Sequence, residues 1–596
     1  MSFILRVPRL TFFNDLHETA FSNFQKNDGD AIIEINKDFH KELIVLKTSQ
    51  HTWYILGNLI IPEQEKHNNE RYLKKILKNF SSDSICELKG IFYLIQYNCI
   101  EKTLRVFSSI MNILPVYYYY SEEYLYISSR IDLLISNIPA TFKLNKKHLV
   151  ERVIFGYGFL NSTPWTGINL LPANKYIEVR SSKFDIKQHT DLSSYFVNKP
   201  LPWEKSADKL SDLFISRAKD YFPDKTCYLS LTGGLDSRSL LAIGLFLGKD
   251  IKVFSYGSLT DKDIIIPKKI SEKIGIEYKP FIIDETFASD LFLKNAIQSE
   301  KITEGNMRFS RVHYNAVFSE LSNEIQYAIS GNFGSELFRT MRMHGNQISQ
   351  TIFEIFSDIP DSALRQRIKN SERLKYLDKN SLKTEIDELA GECILYRNSL
   401  SKVLTPNQRF YSYLFEEVFR KYFGPEIILQ QNFLNNRTPF LDFVFIRELL
   451  KTELAGSNGD FKTSNPFSRY KGQILYPKII RKTYPRLLKF ELDRGYSPND
   501  FFSLIGKINI ITGYIRRKIA NENKSRQPDY SKLCFSKNIS NLSKIPTLGQ
   551  FLNEKEYNSV FLKNIWEADY INLSVYLSFF SYINNTLNTY DNAVVE

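Results

Sequence analysis

The sequence is poor in the residues that build metal sites and disulfide frameworks. Its 596 residues include five cysteines, an odd number, and no two of them are spaced as in C-x-x-C. Its eight histidines include no H-E-x-x-H motif. These absences argue against a disulfide framework and against a zinc site.

The sequence also lacks the apolar segments that direct a chain to a membrane. The N-terminal stretch MSFILRVPRLTFFNDL has no apolar core followed by a small-residue cleavage site, so it does not resemble a signal peptide. No apolar run is long enough to span a bilayer. We therefore expect a cytoplasmic protein without a membrane partner.

Blocks of like charge are absent, although the formal net charge is +12. The excess is spread along the chain, which favours a generally basic surface over a nucleic-acid-binding arm. Hydrophobic residues make up 43% and charged residues 24%, as in globular proteins. A chain of 596 residues is too long for one hydrophobic core, so we expect two or three domains.

Two regions of the sequence follow different patterns. Up to about residue 195, short segments rich in β-branched and aromatic residues predict strands, with one helical pattern, NNERYLKKILKNF, between them. From about residue 203, strands alternate with helices, which indicates a parallel sheet. Beyond about residue 345 the pattern is mostly helical, and from about residue 515 it is helix and loop without a readable motif.

The segment CYLSLTGGLDSRSLLA, residues 227–242, joins a predicted strand to a predicted helix. Gly233 and Gly234 let backbone N–H groups approach an anion, and a helix beginning near Ser237 directs its positive end at the same point. A phosphate would repel Asp236 unless a cation lay between them, which indicates Mg²⁺. From these arguments alone, a phosphate site and an ordinary tight turn with an N-cap stay equally open.

Several motifs, taken in order, resemble those of the asparagine synthetase family. T-G-G-L-D-S resembles the S-G-G-x-D-S pyrophosphate loop of ATP-pyrophosphatases, with Thr for the first Ser. VFSYGSLTDKD resembles the family's second ATP-contacting strand, ISGNFGSELF its S-G-x-G-x-D-E-L-F loop, and RTPFLD its R-x-P-F-L-D motif. ELKGIFYLIQYN, LPVYYY, YLYISSRIDLL and GINLLPANKYIEV follow its glutaminase-type domain. The resemblance covers roughly residues 50–515.

The resemblance implies an α/β fold in three parts. Residues 1–195 would form an Ntn-hydrolase-like αββα domain, a degenerate glutaminase-like domain. Residues 203–515 would form an asparagine synthetase-like, parallel-sheet ATP-pyrophosphatase domain with a helical C-terminal part, and residues 516–596 a helical extension. This layout is similar to that of β-lactam synthetase and lasso-peptide cyclases.

The resemblance also implies an AMP-forming carbon–nitrogen ligase. ATP and Mg²⁺ would activate a carboxylate as an acyl-adenylate with loss of pyrophosphate, and an amine would then attack the acyl carbon. The partners would be a small-molecule or peptide carboxylate and an amine, and a homodimer is left open. The implied ATP-binding residues are Leu231, Thr232, Gly233, Gly234, Asp236, Ser237, Tyr256, Ser330 and Gly331. The implied metal ligands are Asp236 and Asp263, and the implied catalytic residues are Asp236, Glu336 and Arg494.

Three positions depart from the family pattern at the acyl-transfer end of the site. Asn332 replaces a Glu that is catalytic in asparagine synthetase, Ser335 replaces a metal-side Asp, and Asp493 stands where the family carries a Lys. Arg494, beside Asp493, could supply the missing positive charge. These changes predict a different carboxylate and amine, and a member that has lost activity is the alternative.

Two further features concern the N-terminus and the pyrophosphate loop. Residue 2 is Ser where glutamine-dependent members have Cys, and the family's N-G-E-I-Y-N and G-D-S-x-P stretches are absent, so we predict no glutamine hydrolysis. Arg238, just after the loop, has two equally open readings: contact with phosphate or substrate carboxylate, or solvation in the first helical turn.

Three rival functions remain from the sequence. An intramolecular cyclase of the β-lactam synthetase or lasso-peptide cyclase type uses the same activation chemistry. A tRNA-modifying enzyme shares the pyrophosphate loop, but the glutaminase-like order and RTPFLD disfavour nucleic acid as a partner. A scaffold that binds nucleotide without turnover is the third.

Overall fold

The computed structural model describes residues 2–8, 16–18, 31–36, 43–62, 65, 68–78, 80–180, 183–339, 350–459, 471–522, 530–542, 551–553, 555 and 566–595. Its strands are β1 Ser2–Pro8, β2 Leu16–Glu18, β3 Ala31–Asn36, β4 Leu43–Lys47, β5 His51–Ile60, β6 Lys89–Asn98, β7 Thr103–Ser108, β8 Tyr117–Tyr120, β9 Tyr124–Ser128, β10 Phe142–Lys143, β11 Asn169–Leu170, β12 Lys175–Arg180, β13 Lys183–Gln188, β14 Cys227–Ser230, β15 Ile251–Gly257, β16 Tyr278–Ile282, β17 Tyr327–Ile329, β18 Asn435–Arg437 and β19 Ala593–Val594.

The α-helices lie mainly in the second half of the chain. They are α1 Asn69–Lys78, α2 Ile131–Asn137, α3 Lys146–Phe155, α4 Trp203–Ala218, α5 Asp236–Phe246, α6 Lys262–Ile274, α7 Phe292–Thr303, α8 His313–Leu321, α9 Gln350–Phe356, α10 Asp361–Lys369, α11 Lys383–Ser399, α12 Pro406–Tyr413, α13 Gly424–Phe433, α14 Phe443–Leu449, α15 Leu475–Thr483, α16 Leu504–Glu522, α17 Tyr530–Leu542 and α18 Trp566–Thr589.

Two six-stranded sheets form the N-terminal part, in the orders β11-β8-β9-β1-β3-β2 and β13-β12-β7-β6-β5-β4. The sheets pack face to face, and the rings of Phe3 and Tyr93 meet edge to face at 5.1 Å. The strand β1 is buried at every position, so its sequence shows no apolar–polar alternation, and our sequence analysis did not predict it. The predicted helix is confirmed as α1, whose Leu73 and Leu77 are buried.

A five-stranded sheet follows, in the order β16-β15-β14-β17-β18, and all its pairs are parallel. This sheet, together with the two stacked sheets before it, confirms the predicted α/β fold class. The first strand, β14, lies in the middle, so the order of connection reverses between β14 and β17. Ligands of open parallel sheets bind at such a reversal, beyond the carboxyl ends of the strands.

The C-terminal residues contact the N-terminal part of the chain. The helix α18 packs against α3 and α7. The strand β19 pairs in parallel with β10, joining Phe142 to Ala593 and Lys143 to Val594. Our sequence analysis predicted only helix and loop here, because a two-residue strand carries no pattern of its own. The predicted domain boundaries stay predictions. Within the described residues, no helix is both long and apolar enough to cross a membrane.

Candidate active site

The loop between β14 and α5 gathers backbone N–H groups at the carboxyl edge of the parallel sheet. The Thr232 N–H donates to Ser237 Oγ over 3.0 Å, and the Gly234 N–H donates to Thr232 Oγ1 over 3.3 Å. The Gly233 N–H donates to the Asp263 carboxylate over 2.8 Å. The Gly233 N–H is therefore already bonded to an anionic oxygen, the kind of acceptor that a phosphate also offers.

Asp236 is the first residue of α5, at the positive end of the helix. Burial and the neighbouring Glu336 carboxylate raise the pKa of Asp236 to about 6, against the opposing charges of Arg339 and Arg494. A buried carboxylate with a raised pKa gains most from a bound cation.

A second loop meets the first at the reversal of the sheet. A Cβ at Gly331 would lie 3.3 Å from the Ser237 nitrogen and 3.5 Å from Asp236 Cβ, so only glycine fits there without displacement. The Ser330 N–H donates to the Arg437 carbonyl over 3.0 Å, which links this loop to β18. The structure thus brings Ser330 and Gly331 beside the loop between β14 and α5, and their binding of ATP stays a prediction.

Leu231 and Tyr256 lie at the ends of the neighbouring strands β14 and β15. Leu231 is fully buried, and its N–H donates to the Phe254 carbonyl over 2.9 Å. The register pairs Ser230 with Phe254, which sets Tyr256 level with Thr232. The Tyr256 hydroxyl donates to the Tyr314 hydroxyl over 2.7 Å, so its ring leans toward α8.

A small cavity opens beside the α5 N-terminus. Its lining residues are Leu235, Asp236, Ser335, Phe338, Arg339, Gly472, Gln473, Tyr476 and Arg494. Ser335 Oγ donates to Glu336 Oε1 over 3.0 Å, and Arg339 lies 3.7 Å from the same oxygen. The cavity brings together two of the predicted catalytic residues, Asp236 and Arg494, and Glu336 lies next to its lining residue Ser335.

The segment that carries Asp493 and Arg494 lies directly on the pyrophosphate loop. The Asp493 N–H donates to the Gly233 carbonyl over 3.1 Å, and Lys262 Nζ donates to the Asp493 carbonyl over 2.7 Å. Burial raises the pKa of Asp263, and the Gly233 N–H opposes this while the Asp493 charge adds to it. Asp493 therefore faces the predicted metal side of the site.

The sequence left two roles open for Arg238, contact with phosphate or substrate carboxylate and solvation in the first helical turn, and the structure favours neither. Arg238 is fully buried, and its guanidinium donates to the carbonyls of Phe490 and Glu491 over 2.6 and 3.0 Å. The spacing in the sequence could have indicated that Arg238 is buried, because Arg238 lies three and four residues before the buried Leu241 and Ala242 on the same helix face. Our sequence analysis also missed Lys262, Arg339 and Tyr476.

The acidic residues suit a metal shared with phosphate better than a metal held by protein alone. Among the residues that the structure describes, no group of three or more His, Cys, Asp or Glu side chains could hold a metal ion. Mg²⁺ is commonly bound by one or two carboxylates together with substrate phosphates. Asp236 and Asp263 fit that requirement.

Ser2 lies elsewhere, at a cavity between the stacked sheets and the helices α7 and α13. The cavity is also lined by Tyr93, Arg130, Glu304 and Asn306. Burial raises the pKa of Glu304 to about 7. The absence of glutamine hydrolysis stays a prediction.

A parallel sheet whose middle strand ends in a glycine turn and a helix N-terminus has the arrangement at which open α/β sheets bind anionic ligands. Residues 220–454 match the family model for asparagine synthase. The match spans 235 of the 596 residues, which is less than half of the chain.

Other comparisons are weaker. No curated protein matches the chain. The solved structure of the allosteric regulatory enzyme of purine biosynthesis matches with 11% identity and a TM-score of 0.17, over 40% of this chain and 47% of that chain. Glutamine phosphoribosylpyrophosphate amidotransferase from B. subtilis, complexed with ADP and GMP, matches with 10% identity and a TM-score of 0.20, over 47% of this chain and 59% of that one. The chain thus spans about half the length of these structures, and overlaps of this quality carry no argument about activity.

Proposed function

We propose that the protein is an AMP-forming ligase that adenylates a carboxylate and transfers the acyl group to an amine. The observation that carries the proposal is the convergence of the glycine turn, the α5 N-terminus and Asp236 at the reversal of the parallel sheet. The carboxylate oxygen would attack the α-phosphorus while the bond to pyrophosphate breaks. The amine would then form the amide bond, with loss of one proton, and AMP would leave.

The nucleotide would be held from both sides of the reversal. Leu231, Tyr256, Ser330 and Gly331 would hold the adenosine part, whereas Thr232, Gly233, Gly234 and Ser237 would hold the pyrophosphate. The fit is supported by Gly233, because a Cβ there would lie 3.0 Å from Asp493 Cβ and 3.3 Å from Asp263 Oδ1. The bare glycine lets the loop backbone lie this close to both acidic side chains, and its N–H would have to leave the Asp263 carboxylate to donate to a phosphate.

Asp236 and Asp263 would hold Mg²⁺ against the phosphates. When bound, the metal offsets negative charge on the leaving pyrophosphate. Asp236 is suited to this because its carboxylate is buried and its pKa of about 6 leaves it ionised at neutral pH.

Arg494 and Glu336 would act at the cavity beside Asp236. Arg494 lies near enough to Asp236 for its charge to lower that residue's pKa. It would stabilise the negative charge that develops on the α-phosphate and pyrophosphate. Glu336, which contacts Ser335 and Arg339, would orient the arginine side chains on that side of the cavity.

The amine is proposed to come from a source other than glutamine, because Ser2 replaces Cys and the glutamine-binding stretches are missing. The second candidate is an intramolecular cyclase. It is favoured by Asn332, Ser335 and Asp493, which change the acyl-transfer end and leave the pyrophosphate loop intact. The cytoplasmic location and a homodimer stay predictions.

The test is to incubate the protein with ATP, Mg²⁺ and pooled amino acids, peptides or glutamine, and to measure AMP and pyrophosphate. We expect both products, in equal amounts, with at least one carboxylate. Turnover with a peptide alone would favour the cyclase. ATP binding without pyrophosphate release from any substrate would favour the scaffold, and release that depends on RNA would overturn the proposal.

A further inference from the structure

A short segment, residues 490–496, crosses the pyrophosphate loop, and we call it the strap. It lies between the 3₁₀ turns Pro485–Lys489 and Pro498–Phe502. Its Asp493 N–H donates to the Gly233 carbonyl over 3.1 Å. The strap also places Arg494 in the lining of the cavity beside Asp236. The position of the strap therefore determines where the side chains of Asp493 and Arg494 lie relative to the loop.

Arg238 donates hydrogen bonds to the backbone of the strap. The two terminal nitrogens of the guanidinium donate to consecutive carbonyls of the strap, Phe490 over 2.6 Å and Glu491 over 3.0 Å. A planar fork can reach two carbonyls at once, whereas a lysine ammonium on a flexible stem cannot fix both. Arg238 lies in the first turn of α5, two residues after Asp236, so the clamp and the loop belong to one rigid element.

We propose that Arg238 is a positioning residue that holds the strap against the pyrophosphate loop and so fixes Arg494 and Asp493 beside the phosphates of a bound nucleotide. This role rests on the proposed function. Arg238 itself touches no phosphate, because its guanidinium is used on the strap carbonyls and is buried under them.

The strap carries its own ion pair, in which Arg494 Nε lies 3.6 Å from Asp493 Oδ1. A buried guanidinium is costly to leave without partners, and the two strap carbonyls are the hydrogen-bond acceptors of Arg238. The Asp493 Oδ1 atom is buried and accepts no hydrogen bond among the described residues.

The test compares Arg238→Met with wild type in binding Mg·ATP, Mg·pyrophosphate and AMP by calorimetry. We expect the variant to bind Mg·ATP and Mg·pyrophosphate about 10-fold more weakly, as for loss of a charge-assisted hydrogen bond, and AMP within about 2-fold. Hydrogen exchange at the amides of Asp493 and Gly495 should also become faster. Arg238→Lys, which keeps the charge and one donor, should recover part of both effects.

Arg420→Met is the matched control. Arg420 is also a buried arginine, its pKa is lowered to about 10 by burial, and it donates to a backbone carbonyl, that of Leu171, over 2.7 Å. We expect this variant to lose thermal stability without changing the ratio of ATP to AMP affinity or the exchange of the strap.

Several outcomes would overturn the inference. Equal loss of ATP and AMP affinity in Arg238→Met would show a merely structural arginine, and unchanged strap exchange would show that the clamp is not needed. If Arg238→Met does not fold, Arg238→Lys carries the same comparison. If wild type binds neither ATP nor pyrophosphate, the proposed function fails and this role fails with it. If wild type binds both and only the variant comparison fails, the inference alone is wrong.

Discussion

The two ends of the candidate site are built from different kinds of groups. At the proposed ATP end, backbone N–H groups of Thr232, Gly233 and Gly234 converge at the edge of a parallel sheet. At the acyl-transfer end, the groups are the side chains of Glu336 and Arg494, which lie on segments outside that sheet.

This difference teaches which end can change without loss of the fold. Backbone donors are fixed by strand spacing, helix position and glycine, so any change of geometry there disturbs the sheet edge. Side chains on surrounding segments can be replaced one by one. Nucleotide activation is therefore expected to be retained, while the choice of acid and amine is free to diverge, as Asn332, Ser335 and Asp493 indicate.

The largest effect is expected from Asp236→Asn, which would break the ATP end. An amide cannot replace the negative charge that the metal requires, so AMP formation should fall by about 10²–10³-fold, as for other losses of preorganised electrostatic stabilisation. The measurement is release of AMP and pyrophosphate with the best carboxylate of the pooled assay. Asp290→Asn, at an exposed site, is the control. Full activity in Asp236→Asn would remove Asp236 from the site.

Gly233→Ala is expected to have the next largest effect. The added Cβ would lie 3.0 Å from Asp493 Cβ and 3.1 Å from Ile266 Cδ1, so the strap or α6 must move. Overpacking of this kind costs about 1–3 kcal/mol, and we expect Mg·ATP affinity to fall by about 10-fold. Calorimetric titration measures it.

The control for that substitution is Gly391→Ala. Gly391 lies inside α11, and a Cβ there would have only an arginine nitrogen 3.8 Å away. An alanine is better than glycine inside a helix, so this variant should unfold at a slightly higher temperature with unchanged ATP affinity. Equal affinities in the two variants would contradict the close approach at Gly233.

The pH dependence of Mg·ATP binding gives a smaller, graded test. The pKa of Asp236 is raised from 3.8 to about 6, so below pH 6 its carboxyl is protonated and cannot bind a cation. We expect affinity to fall by up to about 10-fold for each pH unit below 6, and Asp236→Asn to lose this dependence. A wild-type affinity that is constant from pH 7 to 5 would contradict the raised pKa.

The same shift has a defined sign for stability. Because the folded pKa lies above the unfolded one, the folded chain binds more protons between pH 3.8 and about 6. The contribution of Asp236 to the free energy of unfolding therefore falls as pH rises through that window, by at most ~3 kcal/mol. The difference between wild type and Asp236→Asn in denaturant titrations isolates it from other buried carboxyls. The prediction would be contradicted if the free energy of unfolding of wild type, minus that of Asp236→Asn, increased with pH.

The parts of the molecule that could be predicted from the sequence are those that have a local residue pattern. The glycine turn, α5 and the alternation of strands and helices are local features, and the structure confirms them. The strap could not be predicted, because the contact between Arg238 and Phe490 joins residues 252 positions apart. The strand β1 was missed because a strand buried on both faces lacks alternation. Distant contacts and fully buried strands leave no periodic signal.

The smallest effect on nucleotide binding is expected from Asn332→Glu, which restores the family's residue at the acyl-transfer end. Asn332 follows Gly331 in a turn closed by the Gly334 N–H on the Gly331 carbonyl over 3.1 Å. A carboxylate there should change Mg·ATP affinity by less than about 2-fold, because exposed or half-buried charges are screened. Asn323→Glu, which adds the same charge at an exposed position after α8, is the control. We also expect no asparagine from aspartate and ammonia, since Ser335 and Asp493 still differ. Asparagine formation by this single variant would show that one residue, rather than the whole acyl-transfer end, separates this chain from asparagine synthesis.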